Sequence, residues 1–258
     1  MRAISRESGA VRERRPAPGG GSSDRASGAE HDDGVADFVL IHGTTQGPHG
    51  WGRLQSALTA RGHRSTAGNL TEGPDHGVEH YVAEVLAQVP SDVEAPIVVA
   101  HSGSGTLLPG VAQALGARRQ VWLAAYIPDG RRSMLDEARA APDELFNFEW
   151  PGSDPTADPV LAAYFLFHDC DLATLRWGLT TLRRFSPPRL SQEVVALAPG
   201  IPSTYLLATR DRTLRPDWCR AQARARLGAE VVEFEAGHCP HVSRPDEVAA
   251  ILDRLARP

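Results

Sequence analysis

The sequence predicts an α/β fold: a doubly wound, mostly parallel sheet with an inserted helical cap. Three observations carry that prediction. Short apolar runs of strand length alternate with helical patterns from Val35 onward, which calls for parallel pairing through right-handed crossovers. One run, Pro96-Ile97-Val98-Val99-Ala100-His101, ends abruptly at Ser102-Gly103-Ser104-Gly105 and passes straight into a helical pattern. From about 129 to 200 the alternation gives way to short helical patterns, and it resumes at Ile201.

Residues 1–35 are rich in Arg, Gly, Ser, Ala and Pro, with almost no apolar content after Val11. Such a segment buries too little surface to offset the entropy of ordering, so it reads as a disordered tail. Arg14-Arg15 is followed by Pro-Ala-Pro-Gly-Gly-Gly rather than the apolar stretch of an export signal, so the expected location is cytoplasmic. Residues 36–258 form one domain in this reading, with the cap at about 129–200.

The run Val35 to Ile41 is a strand buried on both faces. It stops at the loop His42-Gly43-Thr44-Thr45-Gln46-Gly47, which opens a helix over 51–61. A strand over 64–70, a helix over 78–88 and the strand before Ser102 follow. Pro109 lies inside the next helical pattern and predicts a kink there. The run 120–127 is a fourth strand, closed by Pro128-Asp129-Gly130. Helical patterns at 133–140, 143–148, 158–167 and 171–183 then bring much of the aromatic content, namely Phe146, Phe148, Trp150, Tyr164, Phe165, Phe167 and Trp177, with Phe185 just beyond. Most of these pack the cap onto the core, and two or three line a pocket. The run 201–208 is the fifth strand and 230–235 the sixth, with helices over 216–227 and 245–256.

Composition narrows the function. At 258 residues, 41% hydrophobic and 23% charged, the chain suits one large globular domain. A net charge of −5 offers no basic face to nucleic acid. All 27 basic residues are arginine, which removes every mechanism based on a lysine amine. Cys170, Cys219 and Cys239, an odd number in a long chain, point to free thiols in a reducing compartment. No apolar stretch reaches the roughly 18 residues of a membrane span.

The chemistry centres on Ser102. A serine at a sharp strand-to-helix turn has its hydroxyl pushed above the carboxyl edge of the sheet, provided that small residues let the two backbones pass. Ala100, Ser104 and Gly105 meet that need. A serine capping a helix fits the same few residues, so the other elements must carry the identification. The loop after the first strand can donate the Thr44 N–H to an oxyanion, with the Gly103 N–H as the second donor. Asp211 follows the fifth strand, where a carboxylate can hold a histidine, and Asp217 is the alternative. His238 follows the last strand, with His241 as its rival. His42 and His101 flank turns and read as packing groups. A metal site from His238, Cys239 and His241 is poor, because adjacent side chains diverge.

These residues resemble the α/β-hydrolase superfamily over everything after residue 36. The match is closest to the small-ester carboxylesterases that include plant methyl salicylate esterases and bacterial relatives. Phe38 to Gly43 is similar to that group's oxyanion strand and loop, Leu123 to Asp129 to its strand after the nucleophile, and Phe167-His168-Asp169-Cys170-Asp171 to a cap motif. Hydroxynitrile lyases of the same subfamily carry threonine where Gly43 stands and lysine where Cys239 stands. The resemblance therefore implies ester hydrolysis by Ser102, Asp211 and His238 on a small-molecule ester, with no cofactor and no metal. Ala100 replaces the usual glycine, and Gly103 a bulkier residue, which leaves substrate identity open. Lactone opening, C–C cleavage or cyclisation on the same scaffold, or weakly catalytic ligand binding, are the alternatives, and a homodimer is left open.

Overall fold

Except for the mostly polar edge strand at 64–68, each strand forms where an apolar run meets a turn signal. They are β1 (Asp37–Ile41), β2 (Arg64–Gly68), β3 (Ile97–His101), β4 (Arg119–Leu123), β5 (Ser203–Ala208) and β6 (Glu230–Phe234). The computed structural model describes residues 34–257, so all but the last two positions of the tail read over 1–35 lie outside the described residues. All six strands pair in parallel in the order β2-β1-β3-β4-β5-β6, which is the doubly wound sheet expected.

Eleven α-helices accompany the sheet among the described residues. They are α1 (Gly52–Thr59), α2 (Val78–Leu86), α3 (Leu108–Ala114), α4 (Met134–Ala140), α5 (Pro142–Leu145), α6 (Pro159–Phe165), α7 (Leu172–Thr180), α8 (Pro188–Gln192), α9 (Pro216–Leu227), α10 (Pro240–Ser243) and α11 (Pro245–Ala256). Strand side chains alternate between two layers of them. Phe38, Leu40, Ile97, Val99, Val121 and Leu123 pack with α1 and α11. Val39, Ile41, Val98, Ala100 and Trp122 pack with α2, α3 and α9 on the other face. Full burial of one such large side chain contributes about 1.5–3 kcal/mol, so the central strands anchor both layers.

Helices α4 to α8 all fall between β4 and β5. Three begin at residues whose side chains cap them: Ser133 accepts from the Asp136 N–H, Asp158 from the Val160 N–H and Asp171 from the Thr174 N–H. Phe165, Leu166 and Phe167 from this insertion pack against Cys239 and Val242, beside the loop after β6.

Three local expectations are corrected. Pro109 does not kink a helix: a 3-10 turn over Ser102–Thr106 comes first, and Pro109 then sits in the first turn of α3, where its missing N–H has no partner to lose. The fourth strand ends at Leu123 rather than at 127, because Ala124 turns to a φ of 43° and leads the chain out of the sheet. The pattern at 143–148 shortens to α5, and α8 adds a helix that its two flanking prolines hide.

The turn after β3 is tight. Ser102 has a φ of 56°, a left-handed conformation that costs a residue with a Cβ roughly 1–2 kcal/mol. The helix then passes so close to the segment after β4 that a Cβ on Gly105 would overlap the Tyr126 carbonyl oxygen. Gly105→Ala should therefore destabilise the fold by several kcal/mol in denaturant unfolding. Gly116→Ala, at a φ of 56° with open space around it, should cost only about 1 kcal/mol. Equal losses in the two variants would show that the close passage at Gly105 is relaxed.

Candidate active site

Three strand ends converge at the carboxyl edge of the sheet, and each delivers one polar side chain. Ser102 follows β3, Asp211 follows β5 and His238 follows β6. The His238 Nε2 lies 2.9 Å from Ser102 Oγ, and its Nδ1 lies 2.8 Å from Asp211 Oδ2. All three are sequestered: the side chains of His238 and Asp211 are 1% and 3% exposed, and Ser102 is buried. Asp211 Oδ1 accepts the N–H groups of Thr213 (2.6 Å) and Leu214 (3.1 Å), so the carboxylate is fixed from both oxygens. This assigns the Nδ1 proton to His238 as the donor toward Asp211, leaving Nε2 free to accept from Ser102.

The two alternatives go elsewhere. Asp217 sits in the first turn of α9, ion-paired with Arg220 at 2.6 Å and 91% exposed. His241 is buried on α10, 2.9 Å from Gln46 Oε1 and with its ring against Trp51.

The loop after β1 brings Thr44 alongside Ser102 and Gly103 in the wall of one cavity of about 380 Å³. That loop is held rigidly. Its His42 donates from Nδ1 to the Gly43 carbonyl (2.9 Å) and accepts at Nε2 from the Leu70 N–H (3.3 Å) and Arg183 Nη2 (3.1 Å). The Arg183 and Phe185 N–H groups donate to the Thr45 and Thr44 carbonyls at 3.0 and 2.8 Å, and Ser104 Oγ donates to the His42 carbonyl. Among the described residues the Thr44 N–H has no acceptor, and the Gly103 N–H opens a helical turn, where no preceding carbonyl reaches it. A Cβ on Gly43 would come within 2.8 Å of Ser102 Cβ, and one on Gly103 within 2.8 Å of Thr44 Cγ2. Both glycines keep the space in front of the serine open.

The loop that carries His238 is fixed from two directions. His101 donates from Nε2 to the His238 carbonyl at 2.8 Å. Asp169, from the segment between α6 and α7, accepts the Gly237 N–H at 2.8 Å and the Ser243 hydroxyl at 2.7 Å. Sequence reasoning named the stretch around Asp169 only through its resemblance to a cap motif and missed Arg183 altogether. Both act across more than sixty residues of chain, a separation that leaves no local pattern.

Most of the cavity wall is apolar and comes from α4, α5 and α8 and the segments beside them, with Met134, Pro142, Phe146, Trp150, Leu190 and Leu214 among it. Of the eight aromatic residues singled out in the sequence, Phe146 and Trp150 line it. Burial dominates the electrostatics behind it. It drives the pKa of His42 down to about 4, helped by the Arg183 guanidinium, and that of His241 down to about 3, helped by His238. His101 falls well below its ordinary range for the same reason, with His241 and His238 adding to the effect.

Comparison with known proteins follows from this geometry. The sequence profile described as "Alpha/beta hydrolase family" matches residues 38–251. The carbendazim hydrolyzing esterase of Nocardioides sp. is 26% identical over 86% of this chain and 100% of its own length. Methylesterase 7 of Arabidopsis thaliana is 23% identical over 85% and 95%. The crystal structure of polyneuridine aldehyde esterase superposes with a TM-score of 0.70 at 22% identity, covering 86% of this chain and 99% of that one.

The neutral histidines give the fold a defined acid response. A histidine whose folded pKa lies below 6.5 is protonated first in the unfolded chain, so its stabilising contribution is full above pH 6.5 and is lost as pH falls toward about 4. Near pH 5 the unfolding chain should therefore bind protons from solvent at His42 and His241, a loss of about 1.4 kcal/mol of stability per pH unit for each, with His101 acting in the same direction. Denaturant titrations between pH 6 and 4.5 measure this directly. A flat dependence would mean that these groups already carry charge inside the fold.

Proposed function

The chain belongs to the alpha/beta hydrolase family, and on that premise we propose that it hydrolyses a small, largely apolar carboxylic ester or lactone through an acyl-enzyme on Ser102. The observation that carries this reading is the unbroken hydrogen-bonded line from Ser102 Oγ through His238 to Asp211, with its serine end at an apolar cavity. Relatives named for ester cleavage, the carbendazim hydrolyzing esterase and the methylesterases among them, support the choice of bond.

In this mechanism His238 Nε2 takes the Ser102 hydroxyl proton as Oγ attacks the ester carbonyl carbon. The carbonyl π electrons move onto oxygen, and the N–H groups of Thr44 and Gly103 receive the resulting oxyanion. Loss of one such donor typically costs about 3 kcal/mol of transition-state stabilisation, so the two backbone turns rival any side chain in importance. Asp211 holds the Nδ1–H and stabilises the imidazolium. Collapse of the tetrahedral intermediate breaks the C–O bond, and the alkoxide leaves with the proton from His238 Nε2. A water, deprotonated by the same nitrogen, then attacks the acyl carbon and releases the acid and free Ser102. Helices α4 to α8 act as the cap: they shield the intermediate from bulk water and give the apolar group its wall. The three cysteines are free thiols, which fits the reducing cytoplasm as the place of work.

Ser102→Ala should lower kcat/KM for a short-chain p-nitrophenyl ester by about a thousandfold or more while circular dichroism stays unchanged. Asp211→Asn should cost a comparable factor, since the amide no longer fixes the reactive tautomer. Turnover that is the same in wild type and Ser102→Ala overturns the reading.

A further inference from the structure

A carboxylate kept out of water is costly unless it is paired, so its partners show what it holds together. Glu137 of α4 is 5% exposed. Its Oε1 accepts from Arg226 Nη2 at 2.7 Å, and its Oε2 accepts from Arg226 Nη1 and from the Tyr126 hydroxyl, each at 3.2 Å. Arg132 Nη2 stands 3.6 Å from Oε1. The Arg226 side chain, from the last turn of α9, is 14% exposed and also donates from Nη1 to the Ile127 carbonyl. Its guanidinium lies over the Trp218 ring, which stacks in turn on Tyr126 with 5.8 Å between ring centres. One acid of the insertion is thus fixed both to α9 and to the segment that leaves β4.

The rest of α4 faces the cavity or its own insertion. Among the helices it packs chiefly with α5 and α8. Its Met134 and Ala138 line the cavity in front of Ser102, and Met134 Cε lies 4.0 Å from where a Cβ on Gly103 would stand. Tyr126, the hydroxyl partner of Glu137, lines the same cavity and donates its N–H to the Ser102 carbonyl. The placement of α4 therefore sets the room above the serine turn. Met134 is unbranched and adaptable, so its packing alone would tolerate a displaced helix. A buried ion pair is seldom needed for stability, because desolvation offsets most of the attraction and apolar side chains of similar size often serve as well. What a bidentate pair adds to apolar packing is a fixed distance and direction.

We propose that Glu137 is a positioning residue: paired with Arg226 and Tyr126, it clamps α4 at the distance that fixes the size of the substrate cavity, and thereby selects short-chain esters. This rests on the esterase reading above. With the clamp closed, the cavity of about 380 Å³ is bounded by Met134 and Ala138. With the clamp broken, α4 can yield to a longer chain.

Two series of esters test it: p-nitrophenyl esters from acetate to dodecanoate vary the acid, and alkyl acetates from methyl to dodecyl vary the alcohol. Wild type should favour the short members of at least one series by about tenfold or more in kcat/KM, the scale on which a filled apolar pocket rejects added methylenes. Glu137→Gln should shrink that ratio by about threefold or more, chiefly through KM, because Ser102, His238 and Asp211 keep their bonds. Arg226→Lys, which keeps a charge opposite Glu137, should retain most of the selectivity. Since Glu137→Gln strands a buried guanidinium, the paired replacement Glu137→Leu with Arg226→Met is measured beside it and decides the matter where the single variant does not fold. Its thermal midpoint should stay close to that of wild type while its chain-length ratio shrinks as in Glu137→Gln. A wild type indifferent to chain length in both series, or a ratio unchanged in the variants that fold, overturns the proposal while the esterase reading stands. A lowered midpoint with equal loss on every ester also overturns it, in favour of a purely structural pair. Ester turnover that persists unchanged in Ser102→Ala removes the reading beneath it and the proposal together.

Discussion

The left-handed backbone at Ser102 is the constraint on which the site depends. It persists because the surroundings leave no alternative: β3 is buried along its whole length, and the helical turn that follows must pass beneath the Tyr126 carbonyl with only a hydrogen at Gly105 to fit the gap. The Tyr126 N–H donates in return to the Ser102 carbonyl at 3.0 Å, which fixes the serine from the neighbouring strand's exit. Strain of about 1–2 kcal/mol is small beside the burial of the two central strands, so the sheet holds a conformation that the local sequence would not adopt. The outcome is a hydroxyl aimed out of the sheet edge, at hydrogen-bonding distance from a histidine that arrives from 136 residues away.

The sheet alone does not complete the site. Order in the sheet reverses between β1 and β3, and both the Thr44 loop and Ser102 lie at that crevice, where open α/β sheets place their ligands. The loop of Thr44 has no strand neighbour at its own level. The segment 181–185, from the insertion after β4, supplies one through main-chain bonds and the Arg183 guanidinium. Asp169 of the same insertion does the equivalent for the His238 loop. Both loops are thus tied to the insertion whose helices also wall the cavity, so repositioning that insertion would disturb the Ser102–His238–Asp211 geometry as well as the pocket.

Behind the reacting groups lies a set of histidines kept neutral by burial. His42 uses both ring nitrogens, and His101 and His241 one each, to fix a loop or a neighbouring amide, and among the described residues none has a carboxylate partner that would favour its charged form. Neutrality here is useful to the site as well as a consequence of packing. A second imidazolium beside His238 would oppose the uptake of the Ser102 proton that the proposed mechanism assigns to His238, most strongly in so dry a setting.

Sequence alone determined the alternation of strand and helix, hence the parallel sheet, because buried strands write continuous apolar runs and helix starts write their caps at Ser133, Asp158 and Asp171. It also determined the candidates Ser102, Asp211 and His238 with Thr44 and Gly103, since each lies directly after a strand and only a strand end reaches that edge. Tertiary structure decided what depends on neighbours. It ended β4 at Leu123, because the chain must leave the sheet to pass over Gly105. It put Pro109 in a first turn, where proline breaks nothing. It separated Asp211 from Asp217 and His238 from His241, pairs that differ by a few residues in sequence and by their partners in space. And it left the buried Thr213 hydroxyl without a partner among the described residues, because satisfaction of a polar atom is a property of all the groups around it and is written in no single stretch of chain.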